Sequence, residues 1–171
     1  MIIEALARSL EDELDSEPPI LLGYSTGGTL AHALAEHCER EGVPVAGVIL
    51  LDTHVAASES IRRETLANVL GLMADRQHEL IALDDDNLLA MAAYLRVMDE
   101  WAPATIEAPS LLIQASEPLG GAANTEPLPA WQTSAETVVS SGDHFSMIED
   151  GVDGVAEAIE NWLARRTARV S

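Results

Sequence analysis

A serine flanked by glycines stands at the start of a predicted helix and could act as a nucleophile. In PPILLGYSTGGTLAHALAEH, residues 18 to 37, Gly23, Ser25 and Gly27 separate an apolar run from a segment with helical spacing. A strand that turns directly into a helix holds such a serine in a strained turn with its hydroxyl pointing outward. Gly23, Gly27 and Gly28 would let strand and helix approach closely. The pattern indicates nucleophilic catalysis; the alternative is a glycine-rich turn with an incidental serine. A phosphate site is disfavoured, because a P-loop lysine and dinucleotide-binding spacing are both missing.

A serine hydroxyl needs a base to become a good nucleophile, and His144 is placed to supply it. His144 lies in SSGDHFSMIED, after the last apolar run, which is where the base of such a site is expected. The alternative is a structural role, as a loop histidine that caps the last helix. The other histidines are expected at the surface or in packing: His32, His37, His54 and His78.

Two acidic residues are candidates for orienting the imidazole. Asp52 ends the apolar run GVILLD, one run after the serine, and Glu117 follows the later run SLLIQA. Both positions follow a predicted strand, so the residue types alone do not choose between them.

Four short apolar runs predict the strands that position these residues. They are continuous, as in strands that are buried on both faces of a parallel sheet. The runs cover residues 19–23, 46–52, 110–115 and 136–141. Because they alternate with helical or loop-like segments, they predict an α/β fold.

Helical spacing is clearest between the first two apolar runs and at the end of the chain. Residues 26–42 place apolar side chains at helical intervals and stop at Gly42, a typical C-terminal residue. Those side chains are Leu30, Ala33, Leu34 and Cys38. The last segment predicts a docked helix with Val155, Ile159, Trp162 and Leu163 on one face.

The connection from 53 to 109 is too long for a plain crossover and predicts an insertion that forms a lid. It contains helical patterns at 59–82 and 86–101. Asp84, Asp85 and Asp86 fit a helix start better than a metal site. Residues 116–135 predict a long loop.

Composition bounds the class of protein. At 171 residues the chain has room for one domain, and no apolar run is long enough to span a bilayer. The formal charge is -20, and all nine Lys or Arg positions are arginine. Such a negative charge disfavours nucleic acid and anionic membranes as partners. The single cysteine, Cys38, excludes an internal disulfide and a cysteine-based metal cluster. The acidic start lacks the features of a secretory signal, so we expect a cytoplasmic protein.

Five stretches of the chain match a known family. They are GYSTGGTLAHALA, GVILLDTH, DDDNLLAMAAYLRVMDEW, APSLLIQASEPLG and SSGDHFSMIED. Together they resemble the thioesterase domains that end modular type I polyketide synthases, over nearly the whole chain. The resemblance implies the C-terminal part of an α/β-hydrolase, with about four parallel strands, flanking helices and the insertion at 53–109 as a lid.

The resemblance also implies a role for each candidate residue. In that family the acid lies after the strand that follows the nucleophile, 27 residues further along the chain. Asp52 has this spacing from Ser25, so the resemblance favours Asp52 over Glu117. Ser25 would then take an acyl chain from the phosphopantetheine arm of an acyl carrier protein, with no bound cofactor. His144 would remove and return the proton, Asp52 would fix the imidazole, and the backbone N–H of Thr26 would bind the oxyanion.

Other positions of the resemblance concern the substrate channel. Tyr24 stands where the family often has histidine, and Thr26 where it has alanine or methionine; both changes would reshape the pocket. The lid residues Met91, Tyr94 and Met98 are candidate channel walls, with ordinary helix packing as the alternative.

Family members carry further elements before this region: the first strands, the helices that pair subunits into a homodimer, and the loop with the second oxyanion N–H. This sequence begins just before the serine strand. We therefore expect the serine strand to be an exposed sheet edge, and the chain alone to be marginally stable and weakly active. The competing functions are a stand-alone serine esterase or editing thioesterase, and a non-catalytic truncated domain.

Overall fold

The computed structural model describes residues 2–13, 17–54, 102–117 and 135–170. Most of the predicted lid, including Asp84 to Asp86, and most of the loop at 116–135 lie outside these residues.

The described residues contain a parallel sheet of four strands, as the apolar runs predicted. The strands are β1 (Ile20–Tyr24), β2 (Gly47–Leu51), β3 (Ser110–Ala115) and β4 (Glu136–Ser140). They lie in the order β1-β2-β3-β4, and all neighbours are parallel. The carboxyl ends of the strands therefore meet at one edge of the sheet. The α/β fold is confirmed.

Within the described ranges, three helices accompany the sheet. They are α1 (Ile2–Glu13), α2 (Thr26–Glu41) and α3 (Val152–Val170), and a 3-10 turn at Ser146–Ile148 precedes α3. The α1 helix was not predicted from the sequence; it packs against α2. Gly42 ends α2 with φ 76°, and the N–H groups at this end donate to Cys38 and Glu39 carbonyl oxygens. The predicted helix stop is confirmed, because glycine adopts this left-handed conformation without a Cβ clash.

The core on one face of the sheet lies under α3. Alternating residues of β2 and β3 point to this face, and the α3 residues Val155 and Trp162 cover them together with Met147. The strand residues are Ile49, Leu51, Leu111 and Ile113. Ile159 and Leu163 pack at the margin of this cluster. The predicted face of the last helix is therefore confirmed.

The buried face of α2 differs from the predicted one. Leu34 and Cys38 are buried as expected, but Leu30 and Ala33 are only partly buried. Ala31 and Ala35 join Leu34 and Cys38 instead. The residues at 31, 34, 35 and 38 follow one side of a helix, and the small side chains of Ala31, Ala35 and Cys38 let α2 lie close to β1 and β2. Burial also raises the pKa of the Cys38 thiol, with a contribution from nearby Glu11 and Glu39.

Burial along the strands also differs from the expectation that all four are covered on both faces. All of β2 is buried, whereas Ile20 and Leu22 in β1 are 42% and 53% exposed. In β4, Val139 is exposed as well. Among the described strands β1 and β4 are the edges, so each has a neighbour on one side only. The expectation that the serine strand is an apolar edge is confirmed for this part of the chain.

Candidate active site

The turn between β1 and α2 holds Ser25 in a strained conformation. Ser25 has φ 53° and ψ -125°, which is rare for a residue with a side chain. Its backbone N–H donates to the Leu51 carbonyl oxygen at 2.8 Å, and its carbonyl oxygen accepts from the Gly28 N–H at 3.1 Å. These bonds from β2 and α2 stabilise the strained turn on both sides. The strand-to-helix turn predicted from the glycine pattern is present.

Two of the three glycines in this turn are required by close contacts. A Cβ on Gly23 would overlap the Gly27 carbonyl group, and a Cβ on Gly28 would overlap the Thr53 hydroxyl. A Cβ on Gly27 would meet nothing within 4 Å. The expectation that a glycine is needed at position 27 to let strand and helix approach is therefore wrong. Its carbonyl is what Gly23 must approach, and that group is common to every residue.

Thr26 begins α2, directly after Ser25. The first N–H groups of a helix have no acceptor within the helix, and the helix dipole adds partial positive charge there. The Thr26 N–H is therefore suited to a developing oxyanion next to Ser25.

Asp52 follows β2 directly and is buried, with 4% of its side chain exposed. Its φ of 42° lies in the left-handed region, which aspartate tolerates better than most residues. The Asp52 N–H donates to the Ile113 carbonyl oxygen at 2.7 Å. This turn directs the carboxylate toward the ends of β3 and β4.

His144 meets Asp52 at this edge of the sheet. Its Nδ1 lies 2.7 Å from Asp52 Oδ2, and 7% of the His144 side chain is exposed. An ionised carboxylate only accepts hydrogen bonds, so Nδ1 is the donor and Nε2 is left as the basic nitrogen. Glu117 is exposed, and its described contact is a backbone one, an N–H that donates to the Gly142 carbonyl oxygen at 3.0 Å. Asp52, not Glu117, is therefore the acid in contact with His144.

The protonation state of Asp52 follows from these neighbours. Burial by itself raises the pKa of Asp52, because it disfavours the charged form. Hydrogen bonds from His144, His54 and the Ala115 N–H favour the charged form and outweigh burial. The net result is a pKa well below the usual range for aspartate. Asp52 is therefore ionised at neutral pH.

The loop that carries His144 is closed by the side chains on either side of it. The Asp143 Oδ1 accepts from the N–H groups of Phe145 and Ser146 at 3.0 and 2.8 Å. The Ser146 Oγ donates to the same oxygen at 2.9 Å and accepts from the Asp143 N–H at 2.8 Å. The short turn is thereby fixed in one conformation, with His144 at its centre.

The same loop is tied to the end of β3. Gly142, with φ 95°, donates its N–H to the Ser116 Oγ at 3.2 Å. Its carbonyl oxygen accepts from the Glu117 N–H. A Cβ on Gly142 would overlap the Ser146 hydroxyl, so both the φ and the space require glycine here. The loop after β4 is held against the strand that lies next to Asp52.

The sequence matches a known protein family over most of its length. A model of the thioesterase domain family matches residues 1–163. The chain belongs to the thioesterase domain family. Family and fold together support a hydrolase.

The thioesterase domain is similar to parts of type I polyketide synthases. It is 35% identical to polyketide synthase GfsE of Streptomyces halstedii over 163 residues, which are 94% of this chain and 4% of that protein. It is 33% identical to erythronolide synthase EryA3 of Saccharopolyspora erythraea over 147 residues, 86% of this chain and 5% of that protein. The chain thus spans a small fraction of these relatives.

Solved structures show the same fold. The thioesterase domain SrfTE, from a study of surfactin cyclisation, aligns with TM-score 0.68 and 18% identity over 94% of this chain and 74% of that one. RedJ, a thioesterase of the prodiginine pathway in Streptomyces coelicolor, aligns with TM-score 0.61 and 23% identity over 84% and 63%. Both comparisons support the α/β-hydrolase fold.

Tyr24 contacts His144 through both its ring and its hydroxyl. Its ring stacks on the His144 imidazole, with centroids 4.6 Å apart and 24° between the planes. Its hydroxyl donates to the His144 carbonyl oxygen at 2.7 Å. The expectation that Tyr24 shapes the substrate pocket stays a prediction, whereas its contact with the imidazole was not foreseen. Met91, Tyr94 and Met98 lie outside the described residues.

The remaining histidines fall into three groups. His32 is fully buried, as packing predicts, and burial lowers its pKa to about 4. His37 is partly exposed on α2 beside Arg40, and His78 lies outside the described residues. The expectation of a surface or packing role is incomplete for His54, because its Nε2 lies 3.2 Å from Asp52 Oδ1. The sequence signal for this contact was the position of His54, two residues after Asp52.

The described residues lack three features. They contain no hydrogen bond between the Ser25 hydroxyl and the His144 imidazole. Within the same ranges no three or more His, Cys, Asp or Glu side chains are arranged so that they could hold a metal ion. None of the described helices has the length and apolar character needed to cross a bilayer.

Proposed function

We propose that this chain is a serine-dependent thioesterase that releases a polyketide-type acyl chain from an acyl carrier protein in the cytoplasm. Membership of the thioesterase family and the relatives among polyketide synthases support this substrate class. The observation that carries the mechanism is the 2.7 Å contact between His144 and Asp52, at the sheet edge where Ser25 also lies. No bound cofactor takes part; the phosphopantetheine arm of the carrier protein presents the thioester.

In the first half of the reaction, Ser25 attacks the thioester carbonyl. The bond between Oγ and the acyl carbon forms as His144 Nε2 takes the hydroxyl proton. The Thr26 N–H stabilises the negative charge on the carbonyl oxygen. The carbon–sulfur bond then breaks, and His144 gives its proton to the departing thiolate. Asp52 holds the imidazole in the required tautomer and stabilises its charged form.

In the second half, a water molecule or a hydroxyl of the acyl chain attacks the ester on Ser25. His144 takes a proton from that nucleophile and returns it to the serine oxygen as the ester bond breaks. Water gives a free acid, and an internal hydroxyl gives a macrolactone. The same three side chains serve both outcomes, so the acyl chain and the pocket decide between them.

The Ser25 hydroxyl must rotate or move to reach the imidazole before it can react. Catalytic hydrogen bonds are often long without substrate and tighten when it binds. Tyr24 and Asp52 hold the imidazole from two sides, so the adjustment required is that of the serine side chain.

The test uses a fluorophosphonate, which reacts quickly only with an activated hydroxyl. We expect covalent labelling of the chain at Ser25, mapped by mass spectrometry, and hydrolysis of an N-acetylcysteamine thioester. Ser25→Ala should abolish both, whereas Ser9→Ala, at an exposed serine of α1, should retain the label at Ser25. Labelling of a different serine would refute the proposed nucleophile.

The same experiment separates the competing functions. A chain that takes the label but prefers oxygen esters or free acyl thioesters over carrier-bound ones would be a stand-alone esterase or editing thioesterase. A folded chain that takes no label would be a non-catalytic domain. Comparison of carrier-bound and N-acetylcysteamine thioesters with the same acyl group measures this preference directly.

A further inference from the structure

The carboxylate of Asp52 contacts two imidazoles, one on each oxygen. His144 Nδ1 lies 2.7 Å from Oδ2, and His54 Nε2 lies 3.2 Å from Oδ1. The Ala115 N–H also donates to Oδ1, at 2.9 Å. His54 follows Asp52 by two residues, so the turn after β2 supplies both the acid and its second imidazole.

A buried carboxylate needs such contacts to keep its plane fixed. The last torsion of an aspartate side chain is broad, and by itself it lets the two oxygens rotate about the carbon that bears them. Donors on both oxygens remove this freedom. With Oδ1 held by His54 and Ala115, Oδ2 remains directed at His144.

The chemistry of the pair determines which nitrogen carries a proton. Ionised Asp52 accepts hydrogen bonds only, so a favourable contact requires a proton on His54 Nε2. Asp52 is almost fully buried, whereas 31% of the His54 side chain is exposed. The imidazole therefore closes the outer side of the carboxylate, and its removal would open Oδ1 to water.

We propose that His54 is a positioning residue that fixes the Asp52 carboxylate for its contact with His144. The inference rests on the proposed function, because it assigns a role within the same set of side chains. His54 itself touches no reacting atom; its effect passes through Asp52.

The first measurement needs no variant. In the folded chain with 15N-labelled histidine, NMR correlations between the ring nitrogens and the protons on the ring carbons distinguish the two neutral tautomers. We expect His54 at neutral pH to carry a proton on Nε2. A neutral ring protonated only at Nδ1 would overturn the proposal, because Nε2 would then repel the carboxylate.

The second measurement is the rate of fluorophosphonate labelling at Ser25. His54→Ala should slow labelling about tenfold, since the carboxylate loses a donor that water replaces imperfectly. His54→Gln should stay within about threefold of the parent chain, because its amide can donate from a similar position. His37→Ala, at a histidine on α2 that does not contact Asp52, is the matched control and should leave the rate unchanged.

A double variant tests whether the effect passes through Asp52. In the Asp52→Asn background, His54→Ala should cause no further loss, because the orienting carboxylate is already gone. An equal loss in both backgrounds would show a purely structural role and overturn the inference. So would a His54→Ala rate equal to that of the parent chain.

Failure of the proposed function has a different signature. If Ser25 takes no label in the parent chain, the serine mechanism fails and the inference fails with it. If Ser25 is labelled and His54→Ala has no effect, only the inference fails.

Discussion

The ring of Tyr24 lies against the His144 imidazole, and its hydroxyl binds the carbonyl oxygen of the same histidine at 2.7 Å. One residue therefore holds both the ring and the backbone of the candidate base. Because Tyr24 directly precedes Ser25, the last residue of β1 ties the Ser25 turn to the loop that carries His144.

The two contacts of Tyr24 can be separated by substitution. Tyr24→Phe removes the hydrogen bond and keeps the stacked ring, so we expect a loss of about 1 kcal/mol in the free energy of unfolding. Tyr24→Ala removes both, and we expect a loss of about 3 kcal/mol together with slower labelling of Ser25. Denaturant unfolding and labelling rates measure the two effects. Equal rates for Tyr24→Ala and the parent chain would show that stacking does not position the imidazole.

Substitution of the two acids should have unequal effects on turnover. Asp52→Asn favours the wrong imidazole tautomer and should lower kcat by about 10²–10⁴-fold. Glu117→Gln, at an exposed side chain, is the matched control and should change kcat by less than about threefold. Thioester hydrolysis measures both. A larger loss for Glu117→Gln would contradict the assignment of Asp52.

The three glycines of the serine turn should respond differently to an added methyl group. Gly23→Ala and Gly28→Ala place a Cβ onto the Gly27 carbonyl and the Thr53 side chain, and each should lower the free energy of unfolding by about 1–3 kcal/mol. Gly27→Ala meets open space within a helix, so we expect unchanged or slightly higher stability. Denaturant unfolding of the three variants tests this order. Equal destabilisation by all three would contradict the contacts in this turn.

The buried His32 predicts a loss of stability with acid. Its pKa is lowered to about 4 by burial, from an ordinary value of 6.5, so the unfolded chain binds this proton first as pH falls. Above about pH 6.5 His32 is neutral in both states; as pH falls from about 6.5 to about 4 the fold is destabilised, because the unfolded chain gains a proton that the folded chain does not. Between pH 7 and pH 5 the loss is about 2 kcal/mol.

Two variants isolate this contribution. His32→Gln should make the dependence of unfolding free energy on pH shallower between pH 7 and pH 5, whatever it does to the overall stability. His37→Gln, at a partly exposed histidine of the same helix, should leave the slope unchanged. The comparison keeps the other histidines constant, and an unchanged slope in His32→Gln would contradict the low pKa.

The order of elements was accessible from the sequence because it depends on local patterns. Continuous apolar runs predicted all four strands, and Gly42 predicted the end of α2, since both reflect the short-range spacing of side chains. The glycines around Ser25 predicted its strained turn for a steric reason that is also local. The position of His144 after the last strand placed it at the correct edge of the sheet. The α1 helix was not predicted. Its mixture of apolar and acidic residues indicated only that the start of the chain lacks the features of a secretory signal.

The partners of these residues were decided by the tertiary structure. Asp52 and Glu117 both follow strands that end at the same edge, so the residue types could not choose between them; only the spacing of the resembled family favoured Asp52. The left-handed turn at Asp52 directs its carboxylate to His144, while Glu117 remains exposed. The contact of His54 with Asp52 depends on the same turn. A side chain two residues further along the chain can reach the Asp52 carboxylate only when the backbone bends there. Exposure of Ile20 and Leu22 was likewise decided by position in the sheet: an apolar run specifies a strand, but the neighbouring elements determine whether its faces are covered.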